Sequence, residues 1–153
     1  MKRLLFLLLI ISCSGPIETS IRDRQGNSVG TARFSSSSEG TQLDIVAFNL
    51  LPGPHGLHIH EFGACEAPDF ATAGAHYNPD GREHGFNNPL GHHLGDLPNL
   101  DISAQGTGRL RLIVPVELRE FKGKSIIIHA ESDDLTTDPT GNSGARIGCG
   151  LIS

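Results

Sequence analysis

The sequence predicts an all-β protein, an eight-stranded antiparallel sandwich or flattened barrel with two long loops. Three observations favour this fold class. The chain has 153 residues, enough for one compact domain with its own core. Its 19 glycines and 9 prolines suit turns better than helix interiors. Short alternating or β-branched segments recur between clusters of turn residues, and no segment has convincing helical periodicity.

Four strands are predicted in the first part of the chain, at residues 18–22, 29–34, 43–49 and 56–60. Turn-forming residues at 23–27 and 35–40 separate the first three strands. In the third strand, Leu43, Ile45 and Ala47 share one face because side chains alternate along a strand. Pro52-Gly53-Pro54 ends that strand, since proline cannot donate a ladder hydrogen bond.

Four more strands are predicted at residues 100–104, 108–115, 125–129 and 145–152. The second of these alternates apolar Leu110, Leu112 and Val114 with Arg109, Arg111 and Ile113. Residues 61–98 and 130–144 lack a periodic pattern. Loops of that length are usually functional or disordered.

The N-terminus has the layout of a secretory signal, because Lys2 and Arg3 precede an apolar run too short to span a bilayer. The order Ile10-Ile11-Ser12-Cys13 is typical of a bacterial lipoprotein processing site. We therefore expect residues 1–12 to be removed, residues 13–16 to be a linker lipidated at Cys13, and residues 17–153 to form the domain. The mature protein would be periplasmic, with the lipid as its one membrane contact. The alternative is an ordinary signal peptide cleaved nearby, with Cys13 incidental.

The charge balance excludes nucleic acid as a partner. Loss of Lys2 and Arg3 leaves 10 basic and 17 acidic residues, a net charge of −7. A chain this acidic has no electrostatic footprint for nucleic acid.

The chain has three cysteines, an odd number for an exported protein. With Cys13 acylated, Cys65 and Cys149 remain as a pair, and export places them where disulfides persist. Two buried thiols would instead require a reducing compartment, which the leader contradicts.

Histidines give the clearest functional signal. Six of the eight form an ordered set with one carboxylate, comprising His58, His60, His76, His84, His93, Asp96 and His129. His58 and His60 project to the same face of a strand, and His129 near the end of another strand could join them. The remaining four come from the long loop, and three His with one Asp suit a four-coordinate zinc site. The pattern indicates a metalloprotein, because imidazole is a common ligand of copper and zinc.

The flanking residues resemble the copper/zinc superoxide dismutases over nearly all of the mature chain. The matching segments are HGLHIHEFG at 55–63, GAHYNP at 74–79, HLGDLP at 93–98, Ile128-His129, Asp133-Asp134 and GNSGARIGCG at 141–150. The resemblance implies a Greek-key strand order.

The resemblance also implies residue roles. Copper would be held by His58, His60, His76 and His129, and zinc by His76, His84, His93 and Asp96. His76 would bridge both ions, and Asp133 would link a copper-bound histidine to a zinc-bound one, fixing ring orientation. Cys65 and Cys149 correspond to the family disulfide. The implied reaction is the dismutation of superoxide to dioxygen and hydrogen peroxide, with Arg146 guiding the anion to copper.

One loop departs from the eukaryotic members. Residues 131–144 carry Glu131, Asp133, Asp134 and Asp138 but no Lys or Arg, so the lysines that draw superoxide inward there have no counterpart. Arg146 is left, with Arg82, Lys122 or Lys124 if the fold brings them near. The short loop and the leader are closer to the bacterial periplasmic branch.

Other readings stay open. A periplasmic copper and zinc buffering protein without rapid turnover is the main alternative, although storage requires neither a bridged site nor Arg146. A zinc hydrolase is less favoured, because three His and Asp96 already fill the zinc shell. His55 and His92 are expected outside the ligand set, in a structural hydrogen bond and at the surface respectively. The sequence is compatible with a monomer or a homodimer.

Overall fold

The computed structural model describes residues 15–153, which form nine β-strands and two short 3-10 helices. The strands are β1 (Ile17–Arg22), β2 (Ser28–Ser37), β3 (Gly40–Ala47), β4 (Gly53–His55), β5 (Leu57–His60), β6 (Leu100–Ile102), β7 (Gly108–Val114), β8 (Lys124–His129) and β9 (Arg146–Ile152). The 3-10 helices are Ala71–Ala73 and Leu118–Phe121. The expected signal peptide and Cys13 lie outside the described residues.

The strands form a curled antiparallel sheet. Seven of them run in the order β5-β8-β9-β1-β2-β3-β7, and β4 pairs with β6 as a second, two-stranded sheet. Neighbours far apart in sequence, such as β1 with β9 and β5 with β8, pair antiparallel. The prediction of an all-β antiparallel Greek-key fold is confirmed, and the described residues contain no α-helix.

The predicted strand count was one too low. Gly53–His55 forms β4, paired with Leu100–Ile102, where the sequence predicted only a turn at Pro52-Gly53-Pro54. Proline is tolerated here because the sheet has two strands, so each is an edge strand with one side free of ladder bonds. β2 also extends to Ser37, which shortens the turn that was predicted at 35–40.

The core lies inside the curl of the sheet. Alternate residues of β3 and neighbouring strands are buried, and Phe34 packs against Phe121 with ring centroids 5.8 Å apart. β5 and most of β8 are buried on both faces. Leu57 and Ile59 belong to the core, whereas His58 and His60 face the opposite side, so another segment must cover that side.

The long loop between β5 and β6 provides this cover. Tyr77 N donates to Ile59 O at 2.8 Å, and Ile59 N donates to Gly95 O at 2.8 Å, so two loop segments follow the edge of β5. Gly95 is required by this approach, because a Cβ there would lie 2.3 Å from Ile59 O. The predicted Cys65–Cys149 disulfide is present, with a Cα–Cα distance of 5.7 Å, and ties the loop to β9.

Within residues 15–153, no helix is long and apolar enough to cross a bilayer.

Candidate metal centre

Three histidines of the site are carried by strands. We call His58 and His60 of β5 and His129 at the end of β8 the strand histidines. β5 and β8 are paired, so the sheet brings their side chains together. The ring centroids of His58 and His129 are 4.8 Å apart, and those of His60 and His129 are 5.7 Å apart.

His76 reaches the strand histidines from the loop. Its backbone forms an isolated antiparallel bridge with His60. Its ring centroid lies 3.9 Å from that of His58 and 5.0 Å from that of His60. One ligand atom from each of His58, His60, His76 and His129 can be chosen so that all lie within 4.8 Å of one another.

Each of these four rings has one buried nitrogen without a hydrogen-bond partner. The atoms are His58 Nδ1, His60 Nε2, His76 Nε2 and His129 Nε2. The other nitrogen is engaged: that of His60 donates to Gly74 O at 2.9 Å, and that of His129 donates to Gly144 O at 3.2 Å. Unsatisfied buried polar atoms are rare and costly. A convergent set of four therefore fits a metal ion, which accepts their lone pairs.

Burial keeps these imidazoles in the form that binds metal. It lowers the pKa of His60 to about 2, that of His129 to about 3 and that of His76 to about 4. The rings are therefore neutral at pH 7, and neutral histidine is the metal-binding form.

A second group converges on Asp96. We call His76, His84, His93 and Asp96 the loop group. Asp96 Oδ1 lies 3.1 Å from the Nδ1 atom of His76, 3.0 Å from that of His84 and 3.3 Å from that of His93. The Nδ1 atoms of His93 and His76 are 3.5 Å apart. In a tetrahedral zinc site with bonds of about 2.0–2.1 Å, adjacent ligand atoms are about 3.3 Å apart, so this spacing fits zinc.

His58 also lies within 4.8 Å of His76, His84 and Asp96 and could replace His93 on distance alone. We favour His93, because His58 is already engaged. Its Nε2 atom is hydrogen-bonded to Asp133, and its free Nδ1 belongs with the strand histidines.

Asp96 is held as an anion. Its second oxygen accepts hydrogen bonds from the backbone N–H groups of Gly85 and His93, each at 3.0 Å. Burial would raise the pKa of Asp96, but its hydrogen bonds to the three histidines outweigh burial and lower it. For His84, burial would lower the pKa, yet the contacts with Asp133 and Asp96 raise it to about 9.

Asp133 connects the two groups. One carboxylate oxygen lies 2.8 Å from His58 Nε2, and the other lies 3.0 Å from His84 Nε2. Gly141 packs against this carboxylate with φ +61, and a Cβ there would lie 1.8 Å from Asp133 Oδ1. The pattern of residues did not predict this constraint, although Gly141 lies in the GNSGARIGCG motif.

Arg146 lies at the opening of the site. Its guanidinium donates to Phe70 O and Gly74 O, each at 2.7 Å, so the Gly74 carbonyl accepts from both Arg146 and His60. A cavity of about 540 Å³ adjoins it, lined by residues that include His76, Arg82, His93, Asp138 and Arg146.

The other candidate residues lie apart from this cavity or outside both groups. Lys124 lies over the ring of Tyr77 at 3.7 Å, and neither it nor Lys122 lines the cavity. His55 is buried between the carbonyl groups of Leu51 and His129. His92 is exposed, with its ring centroid 4.2 Å from that of Phe86.

The chain matches a known protein family over most of its length. The profile described as copper/zinc superoxide dismutase matches residues 28–152. The chain belongs to the copper/zinc superoxide dismutase family. Family membership and the two His/Asp groups together identify copper and zinc as the cofactors.

Curated relatives of this chain come from several bacteria. The chain is 43% identical to the superoxide dismutase-like protein YojM of Bacillus subtilis over 141 residues, covering 85% of this chain and 72% of that protein. It is 37% identical to superoxide dismutase [Cu-Zn] 1 of Aquifex aeolicus over 142 residues, covering 86% of this chain and 84% of that protein.

Solved structures of the family have the same fold. A superoxide dismutase-like protein from Bacillus subtilis superposes with a TM-score of 0.83 at 41% identity, covering 89% of this chain and 97% of that chain. The Cu/Zn superoxide dismutase from Brucella abortus superposes with a TM-score of 0.79 at 30% identity, covering 90% of this chain and 99% of that chain.

Proposed function

We propose that this protein dismutates superoxide to dioxygen and hydrogen peroxide. In this proposal copper is held by His58, His60, His76 and His129, and zinc by His76, His84, His93 and Asp96. The observation that carries it is the position of His76. Its Nε2 belongs to the four unpartnered nitrogens, and its Nδ1 lies against Asp96, so one ring can serve both ions.

Bound copper supplies the one-electron redox chemistry, whereas zinc has none and orders the loop. The protein's residues place the substrate and protons around the metals. Arg146 stays charged, and two of its N–H groups are held by backbone carbonyls, so the remaining donors can bind a small anion in a fixed place. His76 Nε2 is buried beside the cavity and is the ring atom where a proton can be held for the product.

Asp133 acts on the histidines and does not touch the substrate in this proposal. By accepting from His58 Nε2 and His84 Nε2, it orients both rings, so that His58 Nδ1 faces the strand histidines and His84 Nδ1 faces Asp96 of the loop group.

The alternative is a metal-binding or buffering protein without rapid turnover. Its support is the Bacillus subtilis relative, which is called a superoxide dismutase-like protein. The fixed guanidinium of Arg146 at the cavity favours the enzyme, because a storage site has no use for an anion guide.

A competition assay separates the two functions. The protein loaded with copper and zinc, with the Cys65–Cys149 bond oxidised, should remove superoxide faster than a matched metal-free sample. Arg146→Ala should lower that activity by about 10-fold or more with copper content unchanged, since steering and local concentration of anions contribute 10- to 1,000-fold. A fully loaded, oxidised sample without activity would favour buffering.

The metal assignment has its own test. His129→Ala should lose copper and keep zinc, because His129 is one of the strand histidines and is absent from the loop group. Metal analysis after dialysis gives the two occupancies. Equal loss of both metals, or retention of copper, would contradict the assignment.

We also propose that the protein is exported and lipidated at Cys13. The oxidised Cys65–Cys149 bond supports export, because disulfides persist outside reducing compartments. Cys13→Ser should lose membrane association and the mass of the lipid. Unchanged fractionation, with no loss of mass beyond that of the substitution itself, would refute lipidation.

A further inference from the structure

The acidic loop, residues 131–144, places fewer negative charges at the cavity than its composition indicates. Asp133 is buried between two histidines. Asp134 accepts hydrogen bonds from the backbone N–H groups of Thr136 and Thr137 at 2.9 and 2.8 Å. Among the acidic residues of 131–144, only Asp138 lines the cavity beside Arg146.

Asp138 is fixed at this rim. Its Oδ1 accepts from the backbone N–H of His84 at 2.7 Å and lies 3.7 Å from His93 Nε2. Its side chain is 47% exposed, so its charge also faces the solvent through which an anion arrives.

Arg82 lines the same cavity and is also fixed. The Asn78 side chain accepts from Arg82 N at 3.0 Å and donates to Arg82 O at 2.8 Å, closing the turn that carries the arginine. The Arg82 guanidinium donates to Gly91 O at 3.3 Å. This single bond leaves most of its donors and its whole charge available at the rim.

We propose that Arg82 is a second anion-guiding residue beside Arg146, and that Asp138 opposes it. This inference rests on the proposed function, since the anion would be superoxide. The rate of anion entry then depends on two fixed cations and one fixed carboxylate around a single cavity, and the family lysines are not needed.

The expected size of the effect of one charge on anion binding follows from simple electrostatics. One unit charge about 10 Å from an anion in water changes the local anion concentration about twofold. Screening removes the effect at high salt, because the Debye length falls from about 30 Å at 0.01 M to about 3 Å at 1 M.

The test uses azide as a small anionic probe of the copper-loaded protein, together with the superoxide assay. At about 0.01 M salt, Arg82→Gln should weaken azide binding and slow superoxide removal about twofold each, and Arg82→Lys should restore both. Asp138→Asn should change both quantities in the opposite direction, while its amide oxygen can still accept from His84 N. Both effects should vanish near 1 M salt.

Arg33→Gln is the matched control, because Arg33 is exposed on β2, pairs with Glu18 and carries the same charge change. An equal effect of this control, or effects that persist at 1 M salt with unchanged metal content, would overturn the proposal. So would wild-type behaviour of Arg82→Gln. Azide binding requires no turnover. If wild-type protein removed no superoxide but the azide pattern held, the proposed function would fail and the guiding role of Arg82 would stand.

Discussion

The strand histidines and the loop group are positioned in two different ways. His58, His60 and His129 lie on paired strands, so the ladder of β5 and β8 fixes their backbones. The loop group lies on a segment without a ladder of its own, held by side-chain contacts to Asp96 and by the edge of β5. The sheet can place the strand histidines before metal binds, whereas the loop group depends on its own polar contacts.

The two groups also differ in how their polar atoms are satisfied. The strand histidines leave buried nitrogens without partners, at a cost that the packed sheet must bear. The loop group satisfies its Nδ1 atoms with one carboxylate. Metal binding should therefore supply the missing partners of the strand histidines and make the loop group more rigid. Three predictions test this difference, and a fourth concerns a part of the sheet that neither group touches.

The largest effect is expected when the loop is released from β9. The double variant Cys65→Ser with Cys149→Ser removes a cross-link over a sequence separation of 84. In the chain-entropy model this lowers the free energy of unfolding by up to about 4–5 kcal/mol. Urea unfolding of metal-free protein measures the loss, and limited proteolysis should cut first within residues 61–99. An unchanged unfolding midpoint would show that the loop needs no anchor.

Removal of the Asp96 carboxylate should affect the loop group more than the strand histidines. Asp96→Ala should weaken zinc binding by more than about 100-fold, beyond the range typical of outer-shell partners. Copper binding should weaken less, because the three strand histidines remain in place. Chelator competition measures both affinities, with Asp101→Ala as the control, because Asp101 is the exposed residue of β6. Equal losses of the two metals would remove the distinction between the groups.

A change at Asp133 should affect both groups together. Asp133→Asn replaces one of the two acceptor oxygens by an amide N–H₂. Either His58 Nε2 or His84 Nε2 then faces a donor instead of an acceptor. Both metal affinities should fall by about 10- to 100-fold. Asp134→Asn is the neighbouring control, because the Asp134 carboxylate accepts from Thr136, Thr137 and Asn142 and contacts no histidine of either group. If only one metal were affected, Asp133 would serve one group and not link the two.

The smallest effect is expected far from the metals, at Asp44 of β3. Hydrogen bonds from Arg109 and then Arg111 lower the pKa of Asp44 to about 2. Because the folded pKa is lowered, the stabilisation is present above about pH 4 and is lost as the pH falls towards 2. Both arginines are largely exposed, so we expect Asp44→Asn to cost about 1 kcal/mol at pH 7.

Urea unfolding of wild type and Asp44→Asn at pH 7 and pH 3 checks this prediction. The difference between them should shrink at pH 3, and metal content should be the same in both. A difference that does not change with pH would exclude the carboxylate charge as its source.

Much of this molecule could be predicted from the sequence, because local rules apply to its strands. Alternation predicted that Leu43 and Ile45 share one face of their strand, and in the structure both are buried. The histidine spacing gave the residues that the structure gathers into two groups. Periodicity alone does not identify these ligands, whereas the residues that flank them in the motifs do.

The remaining features depend on contacts between distant segments. β4 was missed because its partner is β6, which lies far along the chain. Arg24 donates two hydrogen bonds to the carbonyl of Arg146, across 122 residues, and nothing in its local sequence indicates this. Asp138 at the cavity was likewise visible only as one acid in an acidic loop.

The peptide group of Gly74 has a mechanical consequence. One carbonyl oxygen accepts hydrogen bonds from both His60 and Arg146. A shift of this single peptide would therefore rotate a metal-binding ring and displace the anion-binding guanidinium in one movement. A substitution in residues 65–74 that moves the His60 ring will therefore also move the Arg146 guanidinium. For this reason the segment should tolerate fewer substitutions than its exposed position indicates.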